Sequence, residues 1–299
     1  MHLFVRSTRL TVISLIFLAA ALAGVAIAQD APRGHLVIVG GGKRGREIMR
    51  RYIQLAGGER SSCVVFPMAS ALADSMEAEE TSFLKKVGAG TVRYLNINRR
   101  QADSDSVLRL LDSVSGVFFT GGDQSRLTAV LQGTATERRL QELYRNGAVI
   151  GGTSAGAAVM SRVMITGDER LNRDSTNAYW FIRGSNVVTS EGFGFLEDVI
   201  IDQHFIRRKR HNRLISLVLE HPQLLGVGID ESTAIVVNPD RTFDVVGDAT
   251  VLVLDASHAA VSKDPHGNLA GSGIQMHLLK AGDRFDLAAR TVLSPDSTR

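Results

Sequence analysis

Through its first half the chain alternates short apolar runs with segments of helical spacing, a pattern that few folds accommodate. Leu36-Val37-Ile38-Val39 ends at Gly40-Gly41-Gly42, and Arg44 to Leu55 then carries Ile48, Ile53 and Leu55 among charges. Cys63 to Phe66 stops at Pro67, and a helix pattern follows from Glu77 to Val87. Thr91 to Ile97, Val117 to Phe119 and Ala148 to Ile150 read as further strands, separated by helix patterns at 106–111 and 137–144. Short, continuously apolar strands joined by helices imply a parallel sheet covered on both faces, hence an α/β fold. The second half is richer in strands. Val199-Ile200-Ile201 is one, and Arg213 to Leu219 looks helical. Ala234 to Val237, Phe243 to Val246 and Val251 to Leu254 are spaced as an antiparallel region appended to that sheet.

The first 28 residues stand apart from this pattern. Arg6 and Arg9 precede the apolar stretch Leu10 to Ala23, and Ala26-Ile27-Ala28 is a small-x-small cleavage site. The expectation is a secretory signal peptide over 1–28 and one domain over 29–299, exported to the periplasm or medium, with no membrane attachment after cleavage. The apolar stretch is shorter than the ~20 residues of a spanning helix. The formal charge of +3 falls to +1 without Arg6 and Arg9, so the balance argues against a nucleic-acid partner. Cys63 is the only cysteine and forms no disulfide within the chain; it reads as a small buried hydrophobe.

The chemistry concentrates at Gly151-Gly152-Thr153-Ser154-Ala155-Gly156-Ala157, which holds a G-x-S-x-G turn directly after the strand Ala148 to Ile150. A serine on such a strand-to-helix turn is lifted over the sheet edge as a nucleophile, and the amide of the next residue, Ala155, is aimed to hold an oxyanion. A serine needs a base. His204 follows the strand Val199 to Ile201, which in a parallel sheet brings it to the serine's edge; His35 precedes its strand and belongs at the other. The acid that orients the imidazole is Glu231, in Gly228-Ile229-Asp230-Glu231, or Glu169, in Asp168-Glu169. A second oxyanion donor is expected at Thr120-Gly121-Gly122-Asp123-Gln124, with Gly122 giving the amide and Gln124 a hydrogen-bonding side chain. The run Arg207-Arg208-Lys209-Arg210-His211-Asn212-Arg213 is either a solvated helix face or a clamp in which Arg208, Arg210 and Arg213 grip substrate carboxylates.

Other chemistries fit less well. Gly40-x-Gly42-x-x-Gly45 has the form of a dinucleotide fingerprint, but the second strand ends at Phe66-Pro67-Met68 without the acid that fold uses. No zinc-ligand spacing is present, so neither metal nor other cofactor is expected. An α/β-hydrolase esterase would place its histidine late, at His258, His266 or His277. A binding protein that kept the pocket without catalysis is the third reading.

Gly40-Gly41-Gly42, Phe119 to Gln124, Gly152 to Ala157, Asp202-Gln203-His204-Phe205, the arginines 208, 210 and 213, and Gly228 to Glu231 together resemble the cyanophycinase branch of peptidase family S51, in its order, over about Leu36 to Val237. The resemblance implies a flavodoxin-like three-layer sandwich similar to class I glutamine amidotransferases, with serine in place of their cysteine. It implies Ser154 as nucleophile, His204 as base, and a pocket of Gln124, Asp202, Gln203, Arg208, Arg210, Arg213 and Glu231. It also implies a peptide substrate rich in aspartate and arginine: cyanophycin, a poly-aspartate bearing arginine on its β-carboxyls, or aspartyl dipeptides. A homodimer is compatible with this reading. One stretch departs from the pattern: 170–184, with Tyr179-Trp180-Phe181, is longer and more aromatic than that branch leads one to expect.

Overall fold

A computed structural model describes residues 31–171 and 179–293; the expected signal peptide lies outside the described residues. The described residues from Pro32 on form one compact unit. Five strands of the first half, β1 (His35–Val39), β2 (Ser62–Phe66), β3 (Thr91–Tyr94), β4 (Gly116–Phe119) and β5 (Val149–Thr153), are parallel in the spatial order β3-β2-β4-β5-β1. Their alternate side chains explain why the apolar runs are continuous. Leu36 and Ile38 enter one core cluster, Val37 and Val39 the other, and all four are fully buried.

The connecting helices divide between the two faces. The first, α1 (Arg46–Leu55), turns Ile48, Met49, Tyr52 and Ile53 inward as one stripe. The next, α2 (Glu77–Lys86), lies on the same face, burying Leu84 in that cluster. The opposite face takes α3 (Asp105–Leu110), α4 (Gln124–Leu131), α5 (Ala135–Arg145) and the single turn α6 (Ala155–Ala158). Polar residues cap α4 and α5. Asp123 accepts from the Ser125 amide at 2.8 Å, and Thr134 accepts from the Glu137 amide at 3.2 Å while Glu137 reaches back to the Gly133 amide at 2.5 Å.

The second half corrects the expectation of a simple appended meander. The hairpin β6 (Val163–Glu169) and β7 (Val187–Glu191) forms its own small sheet. The strand that delivers His204, β8 (Val199–Gln203), is not in the large sheet at all. It pairs in parallel with β9 (Leu225–Ile229) in a separate four-stranded sheet. Next, β10 (Thr233–Val237) and β11 (Thr242–Gly247) extend the large sheet antiparallel from β1, and β12 (Thr250–Asp255) returns to pair with β9. After the outer hairpin β13 (Ala260–Lys263) and β14 (Leu269–Ser272), β15 (Gln275–Lys280) closes the small sheet. Last, β16 (Arg284–Asp286) and β17 (Thr291–Leu293) close the large one, which has nine strands. The smaller sheet buries Ile201 and Val227 in the cluster shared with the large sheet, and Ile200 under α7 (His211–Glu220), beside Leu214 and Leu217. A three-residue apolar run reads alike in either sheet, which is why sequence alone misplaced β8.

Candidate active site

The elbow is built by the glycines around Ser154. A Cβ on Gly151 would come within 2.8 Å of the Phe118 ring, and one on Gly152 or Gly156 would overlap the backbone of Gly156 or Phe119. Only bare backbone lets β5 fold back onto α6 this tightly. Ser154 itself sits at φ +53°, ψ −108°, a conformation that a non-glycine residue adopts only when its surroundings enforce it. They do. Its amide donates to the Val39 carbonyl at 3.1 Å, and its carbonyl accepts from the Ala157 and Ala158 amides at 3.0 Å.

His204 arrives from the small sheet and is fastened to the large one. Its amide donates to the Gly40 carbonyl at 2.6 Å, and it too has positive φ, +50°. Its Nε2 lies 2.8 Å from the Ser154 Oγ, and its Nδ1 lies 2.7 Å from the Glu231 Oε1. With the proton on Nδ1, the ring donates to the carboxylate and accepts from the serine hydroxyl. Glu231 meets the histidine, and Glu169 does not: it is buried on β6, where it accepts from the Asn186 amide nitrogen at 2.9 Å. The late histidines of the esterase reading take no part in this chain of bonds. His258 and His266 are exposed, and His277 packs its ring on Phe285.

Electrostatics favour this protonation. Burial lowers the pKa of His204, the charges of Arg208 and Arg210 lower it further, and Glu231 only partly opposes them. The hydrogen bond from His204 holds the Glu231 carboxyl below its usual range, assisted by Arg207 and Arg208. A neutral imidazole beside a carboxylate is the state a general base requires. Among the described residues, the Gly122 and Ala155 amides have no hydrogen-bond partner. Gly121 packs against Ser154: a Cβ there would stand 3.4 Å from the Ser154 Cβ.

The polar pocket differs from its expected form. Arg213 is fully buried and bonded inside the protein. Its Nε donates to the Asp202 Oδ2 at 2.7 Å and its Nη2 to Oδ1, while Nη1 reaches the Tyr179 hydroxyl at 3.3 Å. The guanidinium also lies over the Tyr179 ring, 5.2 Å from its centre. Asp202 is likewise spent, since its Oδ1 also accepts from the Gln203 amide at 2.7 Å. These two residues are bonded to each other and hold the strand end before His204. Gln124 has used its amide nitrogen on the carbonyls of Ile165 and Thr166, at 2.7 and 2.6 Å. Its Oε1 has no partner among the described residues. Gln203 accepts from Arg210 through both its backbone carbonyl, at 2.7 Å, and its Oε1. Arg210 keeps a buried Nε with no partner, and burial, with the Arg213 charge beside it, pulls its pKa down to about 10. Its Nη1 stands 4.0 Å from the Asp202 Oδ1, so two buried guanidiniums, those of Arg210 and Arg213, share one carboxylate. Arg208 is exposed and makes no ion pair among the described residues. The basic run therefore splits: Arg210 and Arg213 are buried and bonded inside the protein, and Arg208 is exposed.

Two contributions escaped the sequence reading. Gly41, at φ +104°, passes so close under His204 that a Cβ would overlap the imidazole, and a Cβ on Gly42 would stand 2.8 Å from that of Glu231. Glycines 40–42, weighed above as a nucleotide loop, are the bed of the histidine and its acid. Tyr179, in the divergent aromatic stretch, is the other: its hydroxyl donates to the Gly167 carbonyl at 2.8 Å while its ring supports Arg213. Residues 172–178 of that stretch lie outside the described residues. Among the described residues no cluster of side chains could hold a metal ion, and no helix is long and apolar enough to cross a membrane.

Comparison with known proteins follows the same residues. The family model described as peptidase family S51 matches residues 36–245. The cyanophycinase of Trichormus variabilis (strain ATCC 29413 / PCC 7937) is 36% identical over 276 residues, covering 88% of this chain and 89% of that protein. The cyanophycinase of Geminocystis herdmanii (strain PCC 6308) is 33% identical over 265 residues, 85% of this chain and 94% of that one. The crystal structure of a peptidase from an acI-B1 Actinobacterium superposes with a TM-score of 0.65 at 23% identity, covering 86% of this chain and 98% of the other, a likeness of fold.

Proposed function

The chain belongs to peptidase family S51 and is a serine-type peptidase, and from that premise we propose that it is an exported exopeptidase that cleaves cyanophycin or related β-aspartyl peptides. The observation that carries the reading is the continuous bonding from Ser154 Oγ through His204 to Glu231, at 2.8 and 2.7 Å. Ser154 Oγ attacks the peptide carbonyl carbon as His204 Nε2 takes its proton. Glu231 fixes the Nδ1 tautomer and stabilises the imidazolium. The carbonyl oxygen becomes an oxyanion held by the Gly122 and Ala155 amides. The C–N bond breaks, His204 returns its proton to the leaving amine, and an ester to Ser154 remains. A water then loses a proton to His204 and attacks the ester; as the C–O bond to Ser154 breaks, His204 returns that proton to Oγ, releasing the acid and the free serine.

The names of the relatives support a substrate of repeated aspartate and arginine. The pocket supports it too: Arg210, with an unpaired buried Nε, and Arg208 suit a carboxylate, and Glu231, partly exposed beside them, keeps the local charge mixed. Export rests on Arg6, Arg9, the stretch Leu10–Ala23 and Ala26-Ile27-Ala28. Purified protein should release β-Asp-Arg dipeptides from the polymer, and exported protein should lack residues 1–28 by intact mass. Hydrolysis of simple esters with no action on either the polymer or aspartyl dipeptides would overturn the substrate reading.

A further inference from the structure

Beside the site, between the loop after β1 and α2, lies an open groove of about 680 Å³ lined in part by Gly42, Lys43, Arg44, Glu79, Phe83 and Lys86. It adjoins the catalytic machinery through Gly42, the residue that packs against Glu231. Its floor is rigid. Arg44 is bound at 2.7 and 2.8 Å by both oxygens of the buried Glu80, and its guanidinium lies 5.3 Å from the Phe83 ring centre and 5.6 Å from that of Phe118. Its rim differs: Lys43, Lys86 and Glu79 are exposed, and none has an ion-pair or hydrogen-bond partner among the described residues. Glu79, Phe83 and Lys86 are spaced four and three apart, so they lie along one side of α2. Two free ammonium groups and one free carboxylate around an aromatic floor complement a ligand that carries both signs, such as an arginyl group with its own carboxylate and guanidinium.

We propose that this groove is a second subsite, which holds a neighbouring β-aspartyl-arginine unit of the substrate chain while the scissile bond lies at Ser154. Lys43 and Lys86 take the unit's carboxylate, and Glu79 with the Phe83 ring takes its guanidinium. The inference rests on the substrate reading above and adds that the enzyme prefers long chains to short ones. Exposed charge pairs are individually weak, so neutralising both lysines should raise KM for the polymer about three- to tenfold. The test compares wild type, Lys43→Ala/Lys86→Ala and Lys43→Arg/Lys86→Arg on the polymer and on an oligomer of two β-Asp-Arg units, at low and high salt. The alanine pair should raise KM for the polymer alone, leave kcat on both substrates, and flatten the salt dependence; the arginine pair should behave as wild type. Equal kinetics for wild type and the alanine pair on both substrates overturn the subsite and leave the substrate reading standing. A wild type that cleaves neither substrate overturns both.

Discussion

The two arms of the active site are held by different physics. The Ser154 arm is a matter of volume: glycines at 151, 152 and 156 leave the chain one path, and the strained serine follows from it. The His204 arm is a matter of charge. Its strand comes from a second sheet, and its end is fixed by the buried Asp202–Arg213 pair and by the Arg210–Gln203 bonds. The arms meet through β1, whose Val39 carbonyl holds the Ser154 amide and whose next carbonyl, on Gly40, holds that of His204. A steric device of this kind tolerates no added atom and an electrostatic one no loss of a partner, and His204, seated on Gly41, is exposed to both.

The sharpest break in that comparison lies at the junction. Gly41→Ala should drive the imidazole off Ser154 and lower kcat by about a thousandfold or more, since the base acts as part of a unit. Gly45→Ala, four residues on, meets nothing within 4 Å and should be silent. Steady-state kinetics on folded protein checks both. Near-normal turnover in Gly41→Ala would mean that volume does not set the histidine's place. Second, Arg213→Ala leaves the buried Asp202 carboxylate with Arg210 alone, 4.0 Å away, and should cost about 3 kcal/mol of stability in denaturant melts. A variant as stable as wild type with a raised KM would restore Arg213 to the role of a substrate clamp.

What the sequence disclosed follows the same division. Ser154 was legible because glycines around a serine after an apolar strand leave little else to build. The parallel half of the sheet was legible because buried strands are continuous and end at Gly or Pro. The Asp202–Arg213 pair was not, since eleven positions across a turn and a helix carry no period. Glycines 40–42 were visible but ambiguous: small residues after a first strand admit a phosphate or a histidine equally. The tail from β13 onward is made of three- to six-residue strands whose residues are mostly exposed, and such strands show little alternation.

Smaller effects sharpen the charge side. Glu231→Gln should reduce kcat by roughly a hundredfold or more, because the amide no longer fixes the tautomer or balances the imidazolium. It should also move the acid limb of kcat/KM to lower pH, since the carboxylate raises the His204 pKa. In wild type that limb should sit below the usual histidine value of 6.5: burial lowers the pKa, and activity falls only as the ring gains a proton. Arg208→Ala should shift the limb slightly upward, because it removes a cation that disfavours the imidazolium. A downward shift would contradict the sign.

The claim beneath all of these is that Ser154 and His204 act as one catalytic unit. The measurement that reaches it most directly is the kinetics of Ser154→Ala, His204→Ala and the double variant, each shown to be folded, on a substrate the wild type turns over. Members of such a unit do not add: each single variant should lose essentially all turnover, and the double variant should be about as slow as either. Activity that survives Ser154→Ala, or losses that multiply in the double variant, would show that the two residues joined at 2.8 Å do not share the reaction.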